Sequence, residues 1–357
     1  MTTSISATTP PILEIMTRED RHGDIYDMVE MLARTDELLL YADWTTCNAN
    51  LTYRGARDAS EPYPGETAYD EGVDATFGTS APYEEPTTQV SDMVKIDYNK
   101  LHDRKNRGEF LDDEYRRHFS GFRKKFGDVV FYGDRTNYPK RLRGFGYRSA
   151  YSTLSSDYVY DNSGGNGSAT ANKASVYAIK TGPGGFQFTY PEYDDAGEGV
   201  PQTGNGSNPV ITAGMGFKTF DYGMSVPLID GNGRPYPGFQ TYWQQRFGMV
   251  VHDPRAIARI CNVSCTNEDN ITDFSFNYLY LFKVLGRFRK YFGNLENVFI
   301  VVPSIIHTHI AMAVDQKGNV YTTIDDPFGR PISSFNFGVK VPIITSDSIT
   351  EVEAKVA

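Results

Sequence analysis

Residues 46–98 constrain this chain more than any other segment. They are rich in Gly, Pro, Thr and Tyr and hold few long aliphatic runs. β-prone pieces sit only at the two ends, Ala49–Arg57 and Thr87–Tyr98, where Val90, Val94, Ile96 and Tyr98 broadly alternate in a strand-like way. Pro62, Pro64, Pro82 and Pro86 lie between the ends. So long a stretch with so little to bury makes no core of its own, and a compact monomer rarely tolerates one without a task or a partner. The pattern predicts a long two-stranded loop projecting from a body built elsewhere.

That body has material for a core. The chain has 357 residues, 39% of them hydrophobic, which suits one large domain or two to three small ones. Over 109–130, Leu111, Tyr115, Phe119, Phe122, Phe126 and Val129 recur at helical spacing. Asp112, Asp113 and Glu114 near its start and Arg123, Lys124 and Lys125 near its end match the helix dipole. Gly121 inside it costs up to about 1 kcal/mol relative to Ala and allows a bend or close packing. A second amphipathic helix is predicted over 271–292, on Phe274, Tyr278, Leu281, Leu285, Phe288 and Phe292, with Gly293 ending it. A third covers 24–42, after a Ser/Thr-rich start (1–11) that reads as disordered.

The rest reads as β-rich. Val176–Lys180, Phe186–Tyr190, Trp243–Val251 and Val298–Val302 are expected strands, and 194–216 and 230–238 are turn-dense. Pro254–Cys261 is one helical or strand-like piece. Pro303 opens a short helix through Met312, and Asn319–Ile324 and Phe335–Ile344 are closing strands. The fold class is α+β.

Charge is uneven. Residues 1–90 hold 17 acids, 5 Arg and no Lys, whereas 99–148 hold 14 basic and 7 acidic side chains. Complementary fields of this kind steer association and fix register. An acidic arm and loop lying on a basic body, in cis or on a neighbour, singles out Arg54, Arg57, Glu61, Glu84 and Glu85 on the loop and Arg116, Arg117, Arg123 and Lys124 on the first long helix as inter-subunit contacts. The basic stretch could also touch nucleic acid, but its mixture with acids favours protein contact.

Sites for chemistry are mostly missing. The sequence has no phosphate loop, G-x-S-x-G elbow, H-E-x-x-H or dinucleotide fingerprint. His307-Thr308-His309 has no Cys, third His or carboxylate within five residues, so a structural or interface role is expected. Asp194-Asp195 and Asp325-Asp326 sit in turn contexts rather than across a sugar site. Cys261 and Cys265 lack a second pair, and three cysteines make no disulfide framework, so free thiols are expected. The first twenty residues have no basic n-region or apolar core, so no signal peptide is expected, and no ~18-residue apolar run predicts a membrane span. The reading is a protein without cofactor, metal or catalytic residues, and not an enzyme.

The order of parts resembles the major capsid proteins of tailed bacteriophages with the Hong Kong 97 fold, in a podovirus-type branch. The segments that carry the resemblance are Glu14–Asp20, Leu38–Trp44, Thr88–Asp92, Val130–Asp134, Tyr242-Trp243, Gly248–Arg255 and Arg259–Asn262, spread over roughly 12–347. The resemblance implies an N-terminal arm (1–45), an extended E-loop hairpin (46–98), a peripheral domain (99–141 and 315–347) with a spine helix at 109–130, an axial domain (142–314) and a C-terminal tail (348–357). It implies self-assembly into hexamers and pentamers of an icosahedral virion head around double-stranded DNA, which is held without sequence-specific contact. In such shells the E-loop lies on a neighbour's peripheral domain. Scaffolding and portal proteins, with a cement or decoration protein as an optional addition, are the implied partners, with assembly in the host bacterial cytoplasm and no membrane. The fold's name member locks its shell through an E-loop Lys; here residues 1–94 hold no Lys and the first is Lys95, so no such crosslink is expected. Two other readings stay open: an encapsulin-like compartment shell, and a β-rich carbohydrate-binding or hydrolytic protein.

Overall fold

The computed structural model describes residues 43–99, 107–162, 173–191, 232–265, 276–308 except 278, and 339–356, with short stretches between them. The strands are β1 (Trp44–Thr46), β2 (Thr52–Ser60), β3 (Thr79–Pro86) and β4 (Thr88–Asp97), followed by the long helix α1 (Arg107–Tyr132). Next come β5 (Val159–Asp161), β6 (Lys173–Lys180), β7 (Phe186–Tyr190), β8 (Gln202–Thr203), β9 (Pro209–Ala213), β10 (Phe217–Asp221), β11 (Val226–Ile229), β12 (Pro235–Val251) and β13 (Ile257–Ser264). Helix α2 (Leu279–Phe292), β14 (Val298–Val302), β15 (Ser334–Asn336) and β16 (Lys340–Thr345) complete the series.

A six-stranded sheet in the order β15-β16-β14-β6-β13-β5 forms the centre. Strand parity explains why its inner strands are apolar at almost every position. Tyr177, Ile179, Ile257, Cys261, Phe299, Val301 and Ile344 face one core, which they share with Phe126, Val129, Val130 and Phe131 of α1. Val176, Ala178, Ala258, Ile260, Val298, Ile300 and Val302 face the other, which they share with Leu281, Val284, Leu285 and Phe288 of α2. A sheet covered on both sides needs continuous hydrophobic runs rather than alternation. At Asn262, with φ of 62°, the β13 register shifts, and Val263 joins the α2 side out of turn.

The eight-stranded sheet is organised on β12, whose 17 residues pair with β11, β10, β4 and β7. Strand β4 runs antiparallel to it from Asp97 opposite Gly238 to Thr88 opposite Phe247. Val94 and Ile96 are buried there, the alternation expected from sequence. The far end of β12 enters the α1 core through Phe247, Met249 and Val251, and the Phe126 ring lies 4.4 Å from that of Phe247.

The C-terminal segment is strapped across this core. A Cβ at Gly127 would meet the Ser348 hydroxyl at 1.8 Å, so the helix carries glycine where the strap crosses it. Beyond it Glu353 is buried against Arg259 at 3.1 Å and accepts from Ser175 Oγ at 2.5 Å and Tyr132 Oη at 2.6 Å. Burial, then the neighbouring Tyr177 and Glu353, pushes the Tyr132 phenol well above its ordinary pKa and keeps it a hydrogen-bond donor. Val356 and the Asn262 side chain exchange two hydrogen bonds, of 2.8 and 3.1 Å.

Several expectations shift in detail. The long helix starts at Arg107 and runs past 130 to Tyr132 before the turn at Gly133. Pro254–Ala256 forms a 3-10 turn and Ile257 starts a strand. The expected turn region 230–238 ends in the ladder between β11 and β12, with Pro227 opposite Pro237. The second helix is described from Leu279, and Phe274 lies outside the described residues, as do most of 24–42, Asn319–Ile324 and the acid pairs at 194–195 and 325–326. Strand β16 pairs with β14 in the six-stranded sheet, where its Val341, Ile343 and Ile344 complete the two cores.

Candidate inter-subunit surfaces

Strands β2 and β3 form a separate two-stranded ribbon, with Thr52 opposite Pro86 and Asp58 opposite Ser80. Opposed residues share a face in an antiparallel pair. Tyr53, Gly55, Arg57, Tyr83 and Glu85 therefore lie on one face, all half-buried. Arg54, Ala56 and Glu84 lie on the other, exposed.

The half-buried face is fixed to the body. Arg57 donates to the carbonyls of His252 (2.8 Å) and Val251, and its guanidinium stacks over the Tyr83 ring at 4.1 Å. Tyr83 Oη and His252 Nδ1 are 2.9 Å apart, and His252 Nε2 is 2.9 Å from Gln187 Oε1. Gln187 in turn donates to Asp43 at 2.8 Å. A neutral imidazole with its proton on Nε2 satisfies the whole chain: Tyr83 donates to Nδ1 and Nε2–H donates to Gln187. Burial, and then the Arg57 charge, lowers the His252 pKa and favours that neutral form. Lower on the ribbon, Arg148 grips both carboxylate oxygens of Glu85, at 2.5 and 3.2 Å, and donates to the Met249 and Arg143 carbonyls.

Beyond the ribbon's root everything is exposed. Residues 58–82 are exposed without interruption, carry Asp58, Glu61, Glu66, Asp70, Glu71 and Asp74, and contain no Lys, Arg or His. Tyr63, Tyr69, Val73 and Phe77 point their apolar bodies into solvent.

The nine residues singled out by charge thus separate. Glu61 lies on the bare distal part, and Arg54 and Glu84 pair with each other on the open face at 3.5 Å. Arg57 and Glu85 are engaged within their own chain. Arg117 and Lys124 are exposed on one face of α1, with Gly121 between them, where a Cβ would meet nothing within 4 Å. The side chains of Arg116 and Arg123 lie outside the described residues. Charge counting missed Tyr83, Arg148 and His252, which do most of the anchoring. Pleat parity was the available signal, since Tyr53, Arg57, Tyr83 and Glu85 fall on one side of any in-register ribbon.

Among the described residues, no three His, Cys, Asp or Glu side chains are placed to hold a metal ion. His307 lies in a helical turn after Pro303, and His309 is outside the described residues. Cys47, Cys261 and Cys265 are free thiols, and burial pushes the last two up to about 12. No described helix is long and apolar enough to cross a membrane.

The family described as major capsid protein GP7 matches residues 20–357. The chain belongs to this family. It is a capsid shell protein of the virion, with the Hong Kong 97-type phage capsid fold. A chain of the bacteriophage Epsilon15 structure superposes with a TM-score of 0.62 at 23% identity, covering 99% of both chains. The bacteriophage JBD30 capsid gives 0.43 at 10% identity over 96% of this chain and 99% of that one. The SrpI encapsulin of Synechococcus elongatus gives 0.40 at 11% over 65% of this chain and 88% of its own. No curated protein matches the sequence.

Proposed function

We propose that this capsid protein builds an icosahedral head from hexamers and pentamers by non-covalent contacts, without catalysing any reaction. The observation that carries the reading is the bare distal hairpin, acidic and aromatic over 58–82, which is exposed throughout among the described residues. Its natural seat is a neighbouring copy, where the exposed Arg117 and Lys124 face of α1 supplies the opposite charge. On this reading 1–45 is the N-terminal arm, 46–98 the E-loop and 99–141 the peripheral unit with its spine helix; 142–314 supplies the axial unit and 348–357 the tail. Residues 315–347 return to the peripheral unit, and within them β16 pairs with β14 in the six-stranded sheet.

The same reading assigns a separate scaffolding protein, a portal, an optional cement or decoration protein, and double-stranded DNA packed without sequence-specific contacts, with assembly in the host bacterial cytoplasm. Lys95, the first lysine, sits in β4 opposite Gln240 rather than on the exposed hairpin, so shell strength comes from buried area, intertwined arms or a separate cement protein instead of a lysine crosslink. Denatured mature particles should run as monomers on gels, and a ladder of covalent multimers would contradict this. Charge reversal at Arg116, Arg117, Arg123 and Lys124 tests the seat: it should abolish shells seen by negative-stain electron microscopy while leaving a folded subunit. Normal assembly of that variant sinks the pairing. A wild-type chain that stays monomeric or dimeric, alone and with a scaffolding protein, sinks the shell reading as a whole.

A further inference from the structure

The ribbon of β2 and β3 changes character at one place. From Thr52 opposite Pro86 to Asp58 opposite Ser80 the pairing is regular, and then Ser60 faces Thr79 with Ala59 left over. An extra residue on one strand is a β-bulge, which bends a ribbon and raises its local twist. On the body side of Ala59 the ribbon is fixed by Arg57, Tyr83 and Glu85 to His252, Arg148 and the backbone of β12. On the far side, among the described residues, the hydrogen bonds of 61–79 stay within the hairpin. The neck consists of Ser60 and Thr79, whose hydroxyls are 2.6 Å apart, beside Gly78, where a Cβ would lie 2.9 Å from the Ser60 carbonyl.

The root is also packed for one conformation. A Cβ at Gly55 would fall 2.5 Å from the Tyr83 ring, so the ring lies flat on the opposite strand. Tyr53 meets His252 edge-on at 5.3 Å, and the Asn48 side chain bonds both backbone groups of Arg54, at 2.7 and 2.8 Å. Thr87 bonds the Leu51 carbonyl through both its amide and its hydroxyl. The junction of hairpin and body, where a hinge would ordinarily be sought, is the most heavily bonded part of the hairpin.

We infer that the hairpin is a fixed root carrying a movable blade, articulated at the Ala59 bulge and held by the Arg57–Tyr83–His252 clamp. This rests on the shell reading, in which one chain must fit neighbours at different angles. The clamp keeps the root's direction constant, and the bulge takes up the difference. Arg57, Tyr83 and His252 are positioning residues on this account.

The test uses full-length chain assembled into shells and imaged by electron cryo-microscopy. Non-equivalent copies are superposed on Pro235–Val251. Residues 52–57 and 82–86 should coincide within about 1 Å, the usual limit for a rigid interface backbone, while 61–78 diverge by several times that. A root that swings together with the blade overturns the inference. If no shells form, the shell reading fails, and hydrogen exchange on the unassembled chain decides the clamp separately. There Arg57→Met, which keeps the stem and removes both carbonyl bonds, should raise exchange in 52–57 and 83–85 by about tenfold and leave β6 and β13 unchanged. Unchanged exchange in the root overturns the clamp.

Discussion

The central sheet and the hairpin are both built of strands, yet they are opposites. Strands β6, β13 and β14 bury nearly every residue between two helices, and the distal hairpin buries none. The sheet is stabilised by area removed from water, at about 25 cal/mol per Å². The hairpin is held only at its root, by charge-assisted and neutral hydrogen bonds. The difference teaches where folding ends and assembly begins. Core changes should alter the subunit, root changes should alter how the hairpin is aimed, and blade changes should alter only the shell.

The largest effect is expected in the core. Glu353→Ala leaves Arg259 as an uncompensated buried charge, and one broken partner of this kind costs about 3–5 kcal/mol. Denaturant unfolding of the isolated subunit reads it directly. A loss below about 1 kcal/mol would mean the strap is not part of the cooperative core.

Root changes should cost less. Arg148→Met strands Glu85 in a half-buried place and removes two carbonyl bonds, for about 2–3 kcal/mol on the unassembled chain. Limited proteolysis should then reach β2 and β3 before any core strand. Simultaneous cleavage throughout would erase the distinction between root and core.

Acid should loosen the root first. His252 has a folded pKa below its ordinary 6.5, whereas in the unfolded chain it titrates near that value. The folded state thus binds fewer protons, so the contribution is complete above about pH 6.5 and declines as pH falls below it. Asp92 is lowered chiefly by its hydrogen bond to His118, 2.6 Å away, so its contribution holds above 3.8 and is lost as pH falls through its depressed value. Root amides, corrected for intrinsic exchange, should be less protected at pH 5.5 than at 7.5, and His252→Gln should remove that dependence. Equal protection in the wild type at both values would contradict it.

The smallest effect on the subunit belongs to the open face. Glu84→Ala removes a pair that is more than half exposed, worth about 0.2–1 kcal/mol by unfolding. Its effect on shell yield should exceed its effect on the subunit. The reverse ranking would place the residue in the core's cooperative unit.

Much of the core was legible in the residues. Val298–Val302 and Phe186–Tyr190 are strands with the expected bounds, because a short apolar run between turn signals has few other ways to fold. The first long helix followed from its Phe spacing. Its last two residues, Phe131 and Tyr132, were not expected in it, because they are β-prone by composition; Phe131 is helical and buried in the core shared with the sheet. Strand β3 was hidden by Pro82 and Pro86, which a two-stranded ribbon tolerates at positions where a central strand would not. The candidate surface was half legible: Glu61, Arg54, Glu84, Arg117 and Lys124 are exposed, but charge alone could not separate them from Arg57 and Glu85, whose charges are engaged within their own chain. That separation depends on the pleat, and on Arg148 and His252, which lie distant in sequence.

The account's central claim is that residues 58–82 are unpartnered in the subunit and covered in the shell. Brief protease treatment of the same chain before and after assembly, with cut sites mapped by mass spectrometry, tests it most directly. The prediction is rapid cleavage between Tyr63 and Phe77 in free subunits and protection there in closed shells. Equal cleavage in both forms, or protection already present in the free subunit, would contradict it.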